Sequence, residues 1–242
     1  MSLKSELVQR LVDVPFGVRL LILWGNLKAA SVRRRAIGRM STVSRKIKVV
    51  GWDRLRIGSY TTICDDTWFV ANHQQSSICI ENHVCIATRN FFTCGSRIIV
   101  GDFTLTAPDC LFLGAHHDYS NPKIAQIAAP VTKNGIIDIG VNCSIGGGAI
   151  VLANSRIGHG SIVGAGAVVR GTFPAFSLLV GNPARIIKRF NPIDSVWVKT
   201  SEFQPELEFK LPDQESYRRT LERQFPTLRT FPGFASRSYG NT

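Results

Sequence analysis

The stretch "IDIGVNCSIGGGAIVLANSRIGHGSIVGAGAVVRG", residues 137–171, keeps a beat of six. Ile139, Ile145, Val151, Ile157, Val163 and Val169 follow one another at that interval without a miss. Four residues after each of the first five stands a small residue: Cys143, Ala149, Ser155, Ser161 and Ala167. Gly follows the leading aliphatic at 140, 146, 158 and 164. An α-helix repeats near 3.6 residues and a strand near 2, so a strict six belongs to neither. It is the period of a parallel β-helix, in which each coil holds three short strands and three turns.

In such a coil the leading Ile or Val points inward and stacks on its equivalent in the next coil. The small residue also points inward, where the cross-section is tight, and the glycines are expected to supply backbone angles that a Cβ opposes. Upstream the beat is looser but present. It runs through Ile57 and Ile63, then Ile80, Ile86 and Phe92, then Val100, Thr106 and Phe112. After Phe112 it lapses and returns cleanly at Ile139, which predicts a loop over about residues 116–135. Long excursions from a rigid scaffold commonly carry function.

The chain has 242 residues and a net charge of +12, unevenly spread. Residues 1–50 hold eleven basic residues against Glu6 and Asp13. Such a segment is attracted to anionic lipid, phosphorylated ligands or nucleic acid, unless it is simply a solvated basic face. No recognised nucleic-acid module accompanies the run "SVRRRAIGRM", so no nucleic-acid partner is expected. The six cysteines stand singly with no CxxC pair, as buried thiols do, which suits a reducing, cytoplasmic compartment. No stretch is long enough to span a bilayer. The apolar run "FGVRLLILWG", residues 16–25, contains Arg19 and reads as a short amphipathic helix lying on a membrane or on a neighbouring subunit. Pro15 and Asp13 ahead of it argue against a signal peptide.

The predicted loop opens on "LGAHHDYSNP", residues 113–122, with His116 and His117 side by side. Taken with "IDIGVNCSIGGGAIV", "IGHGSIVGAGAVV" and "VGNPARIIKRF" at 180–190, this sequence resembles the hexapeptide-repeat acyltransferases, over roughly residues 50–190. Within them it is most similar to the sugar O-acetyltransferase branch of the colanic-acid-biosynthesis type. The resemblance implies a mainly β fold, a left-handed parallel β-helix assembled as a homotrimer with sites between adjacent subunits. That handedness departs from the usual right-handed crossover. It also implies acetyl-CoA as acyl donor, a sugar or glycan as acceptor, and no metal.

The resemblance further implies that His117, heading the "HDYS" run, is the general base, and that His116 is its bystander. A sugar hydroxyl is a poor nucleophile at neutral pH, and a neutral imidazole can take its proton during attack on a thioester. The second ring nitrogen is then expected to be held by a carbonyl or a carboxylate. On the donor side the match carries over Gly147 and Ala165, at turns where a thin pantetheine arm passes close to backbone, with Arg185 and Lys188 for the CoA phosphates or adenine. The alternative for the glycines is turn geometry alone. Asn90, Arg89 and Tyr119 are candidate acceptor contacts by position. There are departures. The acidic residue expected one coil before the histidine is absent from "TCGSR", residues 93–97, and Arg170 precedes Gly171 where a Lys is common.

Two other functions use the same scaffold. A γ-class carbonic-anhydrase-like zinc protein needs three converging histidines, and the spacing of His73, His83, His116, His117 and His159 does not supply the expected pattern. A non-catalytic β-helix scaffold would tether partners through its basic N-terminus. The chain therefore divides into a basic, partly helical segment 1–49, a β-helix 50–190, and a C-terminal extension 191–242 with one helix at "DQESYRRTLERQF", residues 213–225.

Overall fold

The computed structural model describes residues 31–228. Residues 31–36 are helical and belong to the first of two compact units; the second begins at Ile37. The amphipathic run at 16–25 lies outside the described residues. In the second unit the beat of six becomes three parallel faces. Face one stacks β1 (Thr42–Val43), β4 (Thr62–Ile63), β7 (Cys85–Ile86), β10 (Leu105–Thr106), β13 (Ser144–Ile145), β15 (Ile162–Val163) and β17 (Ser177–Val180). Face two stacks β2 (Lys48–Val50), β5 (Trp68–Val70), β8 (Phe91–Thr93), β11 (Leu111–Leu113) and the first parts of β14 (Ile150–Ile157) and β16 (Val168–Phe173). Face three stacks β3 (Leu55–Ile57), β6 (Ser77–Ile80), β9 (Arg97–Val100), β12 (Ile136–Ile139) and the second parts of β14 and β16.

The register follows the sequence beat. Ile63 pairs with Ile86, Ile86 with Thr106, Thr106 with Ile145, and Ile145 with Val163. All six leading residues of 137–171 are buried, and so are the five small residues behind them. Phe69, Phe92 and Phe112 fill the lower coils as a stack with centroids 4.8 and 4.3 Å apart. The glycines at 140, 146 and 158 lack a Cβ for a reason other than the expected one. None needs a positive φ; an added Cβ would lie 2.3–2.5 Å from the backbone nitrogen of the coil above. Gly164 is crowded by the side chain of Val180 instead.

The N-terminal boundary is corrected. Residues 37–49, expected to belong to a basic helical segment, already form a coil: Ile37 bridges to Ile57, and Thr42 and Val43 pair with Thr62 and Ile63. Past β17 the chain reverses. β18 (Arg185–Asn191) and β19 (Val196–Lys199) continue face one antiparallel. Helix α1 (Gln214–Gln224) is capped by Asp213, whose side chain accepts from the backbone N–H groups of Glu215 and Ser216. It lies along the corner between faces three and one. Tyr217 meets Asn142 at 2.5 Å, the Nε2–H of His159 donates to the Pro212 carbonyl at 2.9 Å, and the Nδ1–H of His83 donates to the Leu228 carbonyl at 2.8 Å.

Candidate functional site

Two corners border face two, and the candidate residues divide between them. The loop over residues 114–135 leaves the corner between faces two and three. Its two arms zip together near the root: the Asp118 N–H donates to the Pro130 carbonyl at 2.8 Å, the Thr132 N–H donates to the His116 carbonyl at 2.8 Å, and His117 bridges to Val131. Adjacent residues on such an extended arm point to opposite sides. The two histidines are therefore not equivalent.

His117 has its Nδ1 2.8 Å from the carbonyl oxygen of Ala129. A carbonyl only accepts, so Nδ1 carries the proton and the Nε2 lone pair is left open. His116 turns the other way. Its Nδ1 lies 3.0 Å from the Thr132 hydroxyl, which itself donates to the His116 carbonyl. His116, not His117, lines a cavity of about 250 Å³ with Leu113, Ala115, Tyr119, Leu152, Ala153, Asn154 and Arg170. Beside it, the N–H of Ser120 holds the Asp118 carboxyl below the ordinary range, so the loop root carries a fixed negative charge.

The other corner, between faces one and two, holds the glycine-rich turns. Gly147 and Ala165 occupy successive coils there, joined through the Gly166 N–H to the Gly147 carbonyl at 2.9 Å. Arg185 begins β18 one step beyond and is exposed, its guanidinium reaching the Ala184 carbonyl at 3.0 Å. Lys188 lies three residues further along β18, paired with Lys199, and so leaves this corner. Turn geometry does not account for Gly147: its φ is not positive, and an added Cβ would make ordinary contacts at 3.5 and 3.8 Å. The positive φ falls on Gly148, at 68°.

The candidate acceptor residues are not brought together. Tyr119 is in the cavity, its ring 5.7 Å from that of His116. Arg89 sits at the opposite corner, held bidentate by Asp109 at 2.7 Å through both contacts. Asn90 is corrected outright as a surface contact. It is 1% exposed, and its amide donates inward to the carbonyls of Ala87 and Ala107. It is one of a ladder of interior groups, with Thr67 below and Cys110 above, that satisfy the corner carbonyls of the next coil. Asn154 and Arg170 were missed as site residues, although hexad counting could have found them. Leu113 pairs with Leu152, and Val151 with Val169, so both stand directly above the loop root.

Among the described residues no three His, Cys, Asp or Glu side chains gather as metal ligands, and no helix is long and apolar enough to cross a membrane. No disulfide joins any of the six cysteines, and burial pushes the Cys143 thiol up to about 12.

No family model matches the chain. It is 31% identical over 139 residues to a probable acetyltransferase of Mycobacterium tuberculosis, covering 56% of this chain and 44% of that protein. It is 29% identical over 121 residues to a putative lipopolysaccharide biosynthesis O-acetyl transferase of Escherichia coli, covering 50% of this chain and 61% of the other. The chain thus spans less than two thirds of either relative. In fold it is similar to the N-acyltransferase AntD from Bacillus cereus, solved with dTDP and 3-hydroxybutyryl-CoA. The TM-score is 0.57 at 18% identity, over 81% of this chain and 96% of that one. At that identity the likeness is one of fold.

Proposed function

We propose that this chain is an acetyl-CoA-dependent O-acetyltransferase of the hexapeptide-repeat kind, acting on a sugar hydroxyl of a glycan or glycan precursor. The observation that carries the reading is the Ala129 carbonyl on Nδ1 of His117. It fixes the tautomer that a general base requires, on a loop anchored at both arms to a rigid β-helix. Similarity to acetyltransferases over half the chain supports the same chemistry.

In the reaction, the Nε2 lone pair of His117 takes the proton of the acceptor hydroxyl as its oxygen attacks the thioester carbonyl. The C–S bond breaks, the acetyl group passes to oxygen, and the proton returns from His117 to the departing thiolate as CoA leaves. No acyl-enzyme forms on the chain. A backbone N–H at a coil turn would stabilise the oxyanion. Gly147, whose absent side chain its own coil does not require, would admit the pantetheine arm beside Ala165, and Arg185 would meet a phosphate. Lys188, lying away from that corner, would help through charge alone.

The working unit is a homotrimer. Face two presents an outward column of Trp68, Phe91, Leu111, Ile150 and Val168 in continuous register, with Trp68 41% exposed. A sheet face this apolar asks for cover. Six cysteines without a disulfide suit a cytoplasmic setting. The test is CoA release across candidate sugars with wild type, H117A and H116A. Loss of a general base lowers the rate by about 10²–10⁴-fold in H117A. An unchanged rate there sinks the base assignment, and no release with any acceptor favours the scaffold role instead.

A further inference from the structure

We infer that the cavity beside the histidine pair receives an anionic acceptor, a sugar carrying a carboxylate or a phosphate, and that Arg170 selects it. As a statement about substrate, this rests on the acetyltransferase reading; as a statement about binding, it stands alone.

The polar groups around the cavity are Arg170, Asn154, Tyr119 and His116, and no carboxylate lines it. The Asn154 Oδ1 is engaged by the Ile136 N–H at 3.4 Å, which leaves its amide N–H groups to face a ligand. Arg170 is the one full positive charge among them and the Asn154 amide a second donor, while the Tyr119 hydroxyl can donate or accept and the Nδ1–H of His116 is already used on Thr132. A neutral sugar makes no use of that charge. An anion needs only donors and a cation.

Arg170 supplies that cation. It is exposed, and it makes no ion pair or hydrogen bond among the described residues. Arg89 is answered by Asp109, Arg156 by Asp138 and Arg189 by Glu208, whereas no carboxylate among the described residues answers Arg170. The rest of the wall includes Leu113 and Leu152, and an apolar floor strengthens a charged contact above it. A volume near 250 Å³ is about eight waters' worth, the scale of one substituted sugar ring.

The anion belongs to the acceptor rather than to the donor. Arg170 is two coil steps above the loop root, about 10 Å at the spacing of paired strands. It also shares one cavity with His116. The phosphates of CoA are separated from the thioester by the whole pantetheine arm, which is longer than that.

The test compares wild type, R170A and R170K with glucose, glucuronate and a glucose phosphate. In equilibrium titrations without donor, wild type prefers the two anionic sugars by about tenfold, the worth of one charged hydrogen bond. The preference shrinks with added salt, disappears in R170A and partly survives in R170K. Equal anion binding by wild type and R170A overturns the inference, whether or not the chain transfers acetyl groups. The two anionic sugars compared with each other tell carboxylate from phosphate. In turnover, R170A loses the preference through acceptor KM, and does so equally with acetyl-CoA and with the acetyl thioester of N-acetylcysteamine, which has no phosphate. A loss confined to acetyl-CoA assigns Arg170 to the donor and overturns the inference. Failure of transfer to every acceptor removes the enzymatic reading and leaves the titrations to decide.

Discussion

Gly146 and Gly147 are neighbours that lack a side chain for opposite reasons. A Cβ on Gly146 would lie 2.5 Å from the Ala165 nitrogen, so the coil above forbids it. A Cβ on Gly147 would meet only the coil below, and at no less than 3.5 Å. G146A should therefore lose about 1–3 kcal/mol in urea unfolding, the usual cost of overpacking. G147A should unfold like wild type yet raise KM for acetyl-CoA, because the added methyl stands where the donor would pass. Equal donor KM in G147A would mean that the donor does not pass at that turn. Glu81 offers a second test at this scale. Burial, and then the charge of Asp102, raise its carboxyl above the ordinary 4.5. Between the unfolded and folded values the native state therefore binds more protons, so stability falls as pH rises through that window and is flat above it. E81Q removes the penalty. It should be more stable than wild type at about pH 7 and converge with it near pH 3, below both values. A constant difference between the two across that range would refute the linkage.

At the scale of elements, helix α1 is held by its Asp213 cap, by Tyr217, which meets Asn142 and packs against the rings of Phe176 and His159, and by Arg218, which lies 3.9 Å from Asp102. D213A removes the cap and should cost about 1 kcal/mol. That loss should read out as several-fold faster amide exchange over residues 214–224, with the coils unaffected. Protection unchanged over α1 would mean that docking, not capping, sets its stability. This helix was legible in the sequence because Asp213 precedes a run with helical spacing. The coils from Ile57 upward were legible because interior positions must repeat at six. The first coil was not, although Ile37, Val43, Val49 and Leu55 keep the same interval. Its outward positions carry Arg39, Arg45, Lys46 and Lys48, and a dense charge run hides a period held by one residue in six. The site was half legible. A break in the period locates the loop root, and the "HDYS" run singles out His117. Asn90 failed because its interior position depends on which side of a corner it takes, and no local signal gives that. Ala129 and Thr132, which orient the histidines, act through contacts 12 and 16 residues away across the folded loop.

For the whole molecule, the proposed chemistry raises the question of how one thioester would be served by residues on two corners. His117 stands at the corner of faces two and three, Gly147 and Ala165 at the corner of faces one and two. Between them lies a strand of three residues, roughly 10 Å, whose outward side chains are apolar. Within one subunit the proposed base and the proposed donor turns are kept apart by that face. Packing face two of three copies around a threefold axis would bury its apolar column and bring one corner of each chain against the other corner of the next, a closed head-to-tail ring. L111E sets a charge in the middle of the column and should give a monomer by light scattering, folded but inactive. A sharper test mixes two inactive chains. Co-expressed H117A and A165W, the second blocking the donor turn, should assemble at random and recover about a quarter of wild-type turnover over the whole population, roughly a third in each mixed trimer, because each mixed ring has one interface that unites an intact histidine corner with an intact donor corner. Mixed trimers without recovered activity, or a fully active L111E monomer, would mean that each subunit carries a complete site. His117 and Gly147 would then have to meet across face two of a single chain, which its geometry opposes.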